Sequence, residues 1–284
     1  MVAPSSPFEA ALGWRGLDFL SRRYRLRFER SMFQRAGYLA GSDERREAEL
    51  RAALLDPEVR AIVAARGGYG ATRYAHRLPW SALVEHPKWI VGFSDVTALH
   101  VEAQAVGVAS LHAPHLTALG RADASLREGF VDALERPTKR RVFRDLGSLA
   151  RGEARGPLVG GNLTLLASCA AAGRLKIPAS AILFLEDVTE RPYRIDRALT
   201  SLLVGGHLAA LSGVVLGGFT ACDPGPDGVT VEAVLRERLS GLGVPIASGL
   251  PAGHDRVNEP LVLGDEATLS VGADGAALSL GAGD

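Results

Sequence analysis

The chain has 284 residues, of which 47% are hydrophobic and 23% are charged, and its formal net charge is zero. This length suits one large domain or two smaller ones, and the balanced charge without a basic stripe argues against a nucleic-acid partner. No segment reaches the roughly 18 uninterrupted apolar residues of a membrane helix, and the first residues lack the features of a secretory signal, so we expect a cytoplasmic protein without a membrane partner.

Helical and strand patterns alternate over residues 1–115. Ser42 is a candidate N-cap for a helix that runs to about Leu55, and an apolar strand follows over 59–65. A glycine-rich loop covers 66–70, and a short helix is predicted over 71–78. The next elements are a strand over 89–93, a helix over 95–105 and a strand over 109–112. This alternation predicts a parallel sheet covered by helices, whose carboxyl edge would hold the active site.

Charge and glycine content rise over 119–156, which predicts a linker containing one helix over 124–134. A second organised region follows over 157–284. Helices are predicted there over 163–171, 194–203 and 229–239, and strands over 182–185, 213–217 and 245–250. Short strands over 261–263, 268–271 and 277–280 are separated by turn residues that favour antiparallel hairpins. We therefore predict an α/β protein with an N-terminal parallel-sheet domain over 1–118 and a C-terminal β-rich mixed domain over 157–284.

The two cysteines, Cys169 and Cys222, have no metal-ligand spacing and do not indicate a disulfide framework. We expect neither a metal nor a cofactor.

Ser94 lies where an apolar strand ends and a helical pattern begins. A strand-to-helix turn of this kind can hold a serine hydroxyl clear of the backbone, as a nucleophile requires. The alternative is that Ser94 is only the N-cap of the following helix.

A serine nucleophile needs a base, and His254 is the best candidate among seven histidines. It lies in a polar loop after a predicted strand, although a loop histidine can also be a plain surface residue. His112 and His115 are rivals, because they follow a strand in the same domain as Ser94.

Glu186 follows the apolar run over 182–185 and is well placed to orient a histidine and to stabilise its imidazolium. The alternative is an ion pair with Arg191 or Arg194. Asp187 would point to the opposite side of the strand, so at most one of the two carboxylates can face the site.

The amides of Gly67 or Gly68 and of Asp95 suit an oxyanion hole, because glycine allows close backbone approach. A phosphate-binding loop is the alternative, but the lysine and the Ser or Thr of a Walker loop are missing.

Seven motifs, in this order along the chain, resemble the LD-carboxypeptidase family of serine peptidases, which includes muramoyltetrapeptide carboxypeptidases and microcin C self-immunity proteins. They are Ala3-Pro4-Ser5-Ser6-Pro7, Ala40-Gly41-Ser42-Asp43, Arg66-Gly67-Gly68-Tyr69-Gly70, Gly92-Phe93-Ser94-Asp95, Gly160-Gly161-Asn162-Leu163, Leu185-Glu186-Asp187-Val188 with Tyr193-Arg194-Ile195-Asp196-Arg197, and Gly253-His254.

The resemblance implies Ser94 as nucleophile, with His254 and Glu186 completing the triad and the amides of Gly68 and Asp95 forming the oxyanion hole. It also implies an active site in the groove between the two domains and a homodimer. We add Arg66 as a candidate for binding the substrate carboxylate, with an ion pair across the domain interface as the alternative. Asn162 of the Gly-Gly-Asn motif is a candidate substrate contact.

The activity implied by the resemblance is removal of the terminal D-alanine from a murein tetrapeptide in peptidoglycan recycling. The alternative is hydrolysis of peptidyl- or aminoacyl-nucleotide conjugates, as in the microcin-immunity branch. The compact region between Ser94 and Glu186 and the Gly-Gly-Asn motif favour the recycling branch. A non-catalytic binding protein with the same fold is a third reading, and the presence of all three triad residues argues against it.

Overall fold

The structure, a computed structural model, describes residues 1–281, and the chain divides into two compact units, Met1–Glu135 and Arg136–Asp284. The helices are α1 (Ala10–Ser21), α2 (Asp43–Leu55), α3 (Ala82–Glu85), α4 (Thr97–Ala105), α5 (Leu116–Arg121), α6 (Ala124–Glu135), α7 (Leu163–Ala171), α8 (Pro192–Val204) and α9 (Val231–Leu239). The strands are β1 (Ala61–Val63), β2 (Trp89–Gly92), β3 (Ser110–His112), β4 (Arg141–Ala150), β5 (Gly152–Asn162), β6 (Ile182–Val188), β7 (Gly213–Thr220), β8 (Ile246–Ser248), β9 (Leu261–Leu263), β10 (Glu266–Val271) and β11 (Ala276–Leu280). Short 3-10 turns lie at Arg30–Phe33, Ala71–Arg73, Ala75–Arg77, Ser94–Val96 and Ser240–Leu242.

The first unit contains the predicted parallel sheet. β1 pairs with β2 and β2 with β3, in registers that place Ile62 beside Ile90 and Val91 beside Leu111. Val2 forms a parallel bridge with Ala64 beside β1. β1 and β2 are apolar, all three strands are almost entirely buried, and α4 packs on β2 and β3, as expected for a parallel sheet covered by helices.

One local prediction in this unit is wrong, and a second helix is confirmed with a start two residues later than predicted. The segment predicted as a helix over 71–78 forms two 3-10 turns, at Ala71–Arg73 and Ala75–Arg77. The segment predicted as a helix over 95–105 begins as the 3-10 turn Ser94–Val96 and becomes α-helical at Thr97. Short helical patterns do not separate α from 3-10 geometry, because residues three positions apart lie on the same side in both.

The second unit is a closed barrel with the strand order β10-β11-β4-β8-β7-β6-β5. β5, β6, β7 and β8 are parallel neighbours, and α7, α8 and α9 connect them along the chain. The remaining pairs are antiparallel. The apolar core of this unit includes Leu158, Phe184, Val215, Leu269 and Leu278, all fully buried. Closure leaves the barrel without sheet edges.

The predicted linker over 119–156 is not a linker. It contains α6, all of β4 and the first part of β5, and the boundary between the two units falls inside it, at Glu135 and Arg136. The charges that suggested a linker lie on the exposed side of barrel strands. Glu153 and Arg155 are exposed, whereas Ala154 between them is buried, since side chains alternate between the two faces of a strand.

Within the described residues, no helix is both long and apolar enough to cross a membrane.

Candidate active site

Ser94 lies at a sharp turn directly after β2. Its backbone is in the left-handed region, with φ of 66°, a conformation that costs a non-glycine residue energy and is concentrated at functional sites. Neither the 3-10 turn that starts at Ser94 nor α4 has a side-chain N-cap hydrogen bond. The alternative role of Ser94 as a helix cap is therefore not supported, and the strand-to-helix turn has the form expected for a nucleophile.

The glycine loop 66–70 approaches Ser94 closely. A Cβ atom added to Gly67 would lie 2.7 Å from Ser94 Cβ and 3.1 Å from the carbonyl oxygen of Phe93. Gly68 has φ of 104°, and a Cβ there would lie 2.5 Å from Ser6 Oγ. Only glycine fits at these two close approaches. The approach of Gly67 to Ser94 places the amides of this loop beside the serine turn.

The carboxylate of Asp95 is buried beneath this loop. Its Oδ2 accepts hydrogen bonds from Ser5 Oγ at 2.6 Å and from the amide of Ala71 at 2.8 Å. Burial raises the pKa of Asp95, and the two hydrogen bonds oppose that rise. The side chain of Asp95 therefore faces the protein interior, and only its backbone amide remains for an oxyanion.

Glu186 and His254 form a hydrogen-bonded pair in the second unit. Glu186 Oε2 lies 2.6 Å from His254 Nδ1; the glutamate side chain is fully buried, and that of the histidine is 17% exposed. The arginines considered as alternative partners bind elsewhere, Arg191 to the carbonyls of Asp223 and Pro224 and Arg194 to Glu190.

The hydrogen bond of this pair determines which ring nitrogen of His254 carries the free lone pair. A carboxylate accepts a hydrogen bond from the N–H at Nδ1, so in the neutral ring Nε2 carries the lone pair. Burial raises the pKa of Glu186, and the hydrogen bond from His254 opposes that rise.

Hydrogen bonds hold both chain neighbours of His254, Gly253 and Asp255, in place. The amide of Gly253 donates to Asn258 Oδ1 at 3.0 Å, and Asp255 Oδ1 accepts from Thr220 Oγ1 at 2.6 Å. A Cβ added to Gly253 would lie 2.9 Å from Glu186 Oε2. These contacts fix the histidine against the end of β6.

Asp187 points away from His254, as strand alternation predicted. Its carboxylate accepts hydrogen bonds from the amide and hydroxyl of Thr164 and from Asn162 Nδ2. Asn162 also caps α7 by accepting from the amide of Leu165. The observed contacts of Asn162 are internal, and its role as a substrate contact stays a prediction.

The other candidate side chains lie in the first unit. Arg66 is exposed and donates to the carbonyl of Pro7 at 2.6 Å. His115 caps α5 and stacks on Phe93, with ring centroids 4.7 Å apart, and His112 is buried at the end of β3. Among residues 1–281, no group of three or more His, Cys, Asp or Glu side chains could hold a metal ion.

Comparison with known proteins identifies the family. Residues 1–113 match the LD-carboxypeptidase N-terminal domain, and residues 155–269 match the LD-carboxypeptidase C-terminal domain. The chain belongs to the LD-carboxypeptidase family. This family member is 39% identical over 279 residues to a putative carboxypeptidase of Synechocystis sp., a match that covers 95% of this chain and 90% of the relative.

Two further similarities concern proteins with a named substrate. A murein tetrapeptide carboxypeptidase of Pseudomonas aeruginosa is 33% identical over 245 residues, covering 82% of this chain and 79% of the relative. The crystal structure of muramoyltetrapeptide carboxypeptidase from Oxalobacter formigenes matches with a TM-score of 0.87 and 29% identity, covering 100% of this chain and 99% of that one. The predicted fold class is thereby confirmed for this LD-carboxypeptidase family member.

Sequence reasoning assigned no role to several residues that support the site of this LD-carboxypeptidase family member. They are Ser5 and Ser6 near the glycine loop, and Thr220, Asp255 and Asn258 around His254. Ser5 and Ser6 belong to the first of the seven motifs, so the family resemblance marked them, but their sequence pattern indicated no chemical role for their hydroxyl groups. Nothing in the local pattern marked Thr220 and Asn258, since their partners are set by the packing of loops.

Proposed function

We propose that this chain is a serine carboxypeptidase that removes the terminal D-alanine from murein tetrapeptides by hydrolysing the L,D bond. The family and the named substrate of a 33% identical relative support the reaction. The observation that carries the catalytic part is the 2.6 Å hydrogen bond between buried Glu186 and His254. A buried glutamate on the ring nitrogen of a histidine is the pairing that a serine nucleophile needs from its base.

In the proposed mechanism, Ser94 Oγ attacks the carbonyl carbon of the L,D peptide bond while its proton passes to His254 Nε2. The carbonyl oxygen becomes an oxyanion, which accepts hydrogen bonds from the amides of Gly68 and Asp95. Glu186 holds the imidazole through Nδ1 and stabilises its positive charge.

The tetrahedral intermediate then collapses, and the C–N bond breaks as His254 gives its proton to the leaving amine of D-alanine. Water, deprotonated by His254, attacks the ester carbon and releases the shortened peptide, and the proton returns to Ser94 Oγ. The proposal requires that His254 Nε2 reach Ser94 Oγ. An active site shared by the two units stays a prediction.

A carboxypeptidase must also bind the free carboxylate of its substrate. Arg66 is the proposed partner, since it is exposed beside the glycine loop and its guanidinium can form two parallel hydrogen bonds to a carboxylate. Replacement Arg66→Ala should raise KM with a smaller effect on kcat.

The proposal is tested by incubating the protein with L-Ala-D-Glu-meso-diaminopimelate-D-Ala and measuring free D-alanine by mass spectrometry. We expect release by the wild type, and a loss of several orders of magnitude in Ser94→Ala and His254→Ala with an unchanged circular dichroism spectrum. A variant that retains more than about a tenth of the wild-type rate would contradict the assigned role.

A parallel assay with an aminoacyl-nucleotide conjugate separates the two substrate classes. Turnover of the conjugate without release of D-alanine from the tetrapeptide would overturn the murein assignment and leave the assignment as a hydrolase unchanged.

The cytoplasmic location and the homodimer are further parts of the proposal. Sedimentation equilibrium of the purified protein tests the dimer.

A further inference from the structure

The motif at residues 3–7 has no role in the proposed mechanism, yet its serines contact the loop that supplies the oxyanion amide. Ser6 donates its amide to the carbonyl of Gly67 at 3.2 Å, and Ser6 Oγ accepts from the amide of Tyr69 at 3.1 Å. One serine therefore holds the residues on both sides of Gly68.

Ser5 connects the same segment to the serine turn. Its hydroxyl is completely buried and donates to Asp95 Oδ2 at 2.6 Å. The same carboxylate oxygen accepts from the amide of Ala71, directly after the glycine loop. Because Asp95 follows Ser94 in the chain, its carboxylate ties the end of the loop and the N-terminal segment to the nucleophile turn.

The segment is itself firmly anchored. The carbonyl of Pro4 accepts from Arg46 Nη1 at 2.6 Å and from the hydroxyl of Tyr74 at 2.9 Å, and both side chains are fully buried. The carbonyl of Ser5 accepts from the amide of Ala40 at 2.9 Å. The contacts of Ser5 and Ser6 therefore transmit a fixed position to the loop.

The loop needs such support because three of its five residues are glycines. Glycine loses more conformational freedom on ordering than any other residue, so the loop does not hold its amides in place without external contacts. The contact of Ser6 with Gly68 is also close, since a Cβ at Gly68 would lie 2.5 Å from Ser6 Oγ.

We propose that Ser5, Ser6 and the carboxylate of Asp95 are positioning residues that hold the amides of Gly68 and Asp95 where the oxyanion forms. The inference rests on the proposed function, because that function assigns the two amides. It assigns a function to the N-terminal motif. The motif aligns the two amide donors, which stabilise the negative charge that forms on the carbonyl oxygen in the transition state. Loss of this alignment lowers kcat and leaves substrate binding, and hence KM, nearly unchanged.

The test compares Ser5→Ala, Ser6→Ala and Asp95→Asn with the wild type, using the tetrapeptide as substrate. We expect kcat to fall by about 10- to 100-fold, as for a displacement on the order of 1 Å at a reacting group, with KM within about twofold. Ser6→Thr keeps the hydroxyl and should recover most of the lost rate. Ser110→Ala removes another buried serine of the same unit and should leave kcat unchanged.

A second readout separates this inference from the substrate assignment. The rate at which a fluorophosphonate labels Ser94 depends on the nucleophile and the oxyanion amides but not on a murein peptide. If the tetrapeptide is not cleaved but labelling slows in Ser5→Ala and Ser6→Ala, the substrate is wrong and the positioning role stands.

The inference is overturned if folded Ser5→Ala and Ser6→Ala label and turn over within about twofold of the wild type. It is also overturned if their loss lies in KM, or if Ser6→Thr is as slow as Ser6→Ala. Should Ser5→Ala fail to fold because its hydroxyl is buried, the half-buried Ser6 decides the question.

Discussion

Gly67 lies against Ser94: a Cβ atom on this residue would be 2.7 Å from Ser94 Cβ and 3.0 Å from Ser94 Oγ. Gly67 is outside the left-handed region, so an alanine there causes no backbone strain and acts only through this overlap. We expect Gly67→Ala to displace the hydroxyl and to lower kcat on the order of 100-fold, measured by release of D-alanine.

The matched control is Gly241→Ala. Gly241 is also outside the left-handed region, and a Cβ added to it would have no neighbour within 4 Å. This variant should keep full activity. Equal rates for the Gly67 and Gly241 variants would show that the contact with Ser94 does not control its position.

Ser94 carries a conformational cost that glycine would avoid. A left-handed backbone costs a non-glycine residue about 1–2 kcal/mol. We therefore expect Ser94→Gly to be more stable than Ser94→Ala by about 1 kcal/mol in urea unfolding, while both variants are inactive. A Ser94→Gly variant no more stable than Ser94→Ala would rule out strain at the turn.

Ser180 provides the comparison outside the site. It is exposed, with φ of 59°. Ser180→Gly should gain similar stability and keep its activity. The combination would show that the strain at Ser94 is retained for catalysis.

Gly253 is expected to control the geometry of the Glu186–His254 pair. An alanine there, at φ of 125°, would place Cβ 2.9 Å from Glu186 Oε2 and 3.0 Å from Glu186 Cβ. Gly249 lies in the same loop region with φ of 82°, but a Cβ there has no neighbour within 4 Å. Both variants carry backbone strain, and only Gly253→Ala disturbs the pair.

We therefore predict that kcat of Gly253→Ala is at least about tenfold below that of Gly249→Ala, since misplacing a catalytic base by a fraction of an ångström is costly. Steady-state assays at one pH suffice. Similar kcat values in the two variants would assign the loss to backbone strain alone.

His100 makes stability depend on pH without taking part in catalysis. It is buried, its Nε2 donates to the carbonyl of Gly92 at 2.9 Å, and burial lowers its pKa to about 4. An unfolded histidine titrates near 6.5, so between pH 6.5 and 4 the unfolded chain binds more protons than the folded one. Stability contributed by neutral His100 is complete above pH 6.5 and is lost as the pH falls toward 4.

The measurement is urea unfolding at pH 7 and pH 5 for the wild type and His100→Gln, which removes the titration and keeps a donor. The wild type should lose on the order of 2 kcal/mol more than the variant between these pH values. Equal losses in the two proteins would contradict a neutral, buried His100.

Local patterns predicted much of the architecture because the relevant interactions are short in sequence. Ser42 caps α2 by accepting from the amide of Arg45, three residues away, and α7 has the predicted bounds, Leu163–Ala171. The linker prediction was wrong because β4 and β5 depend on interactions that are long in sequence. Their exposed charges resemble those of a linker, and the segments become strands because their inward side chains pack in the barrel core.

The sequence alone determined the alternation of helices and strands, the turn at Ser94, and the choice of Glu186 and His254 as partners. These features follow from periodicity, turn residues and motif order, which are local properties of the chain. Folding in three dimensions settled the closed barrel, the burial of Glu186 against a histidine 68 positions away, and the bond from Ser5 to Asp95 across 90 positions. Such pairings depend on which surfaces pack together, and the energy of packing belongs to the whole unit rather than to any local window.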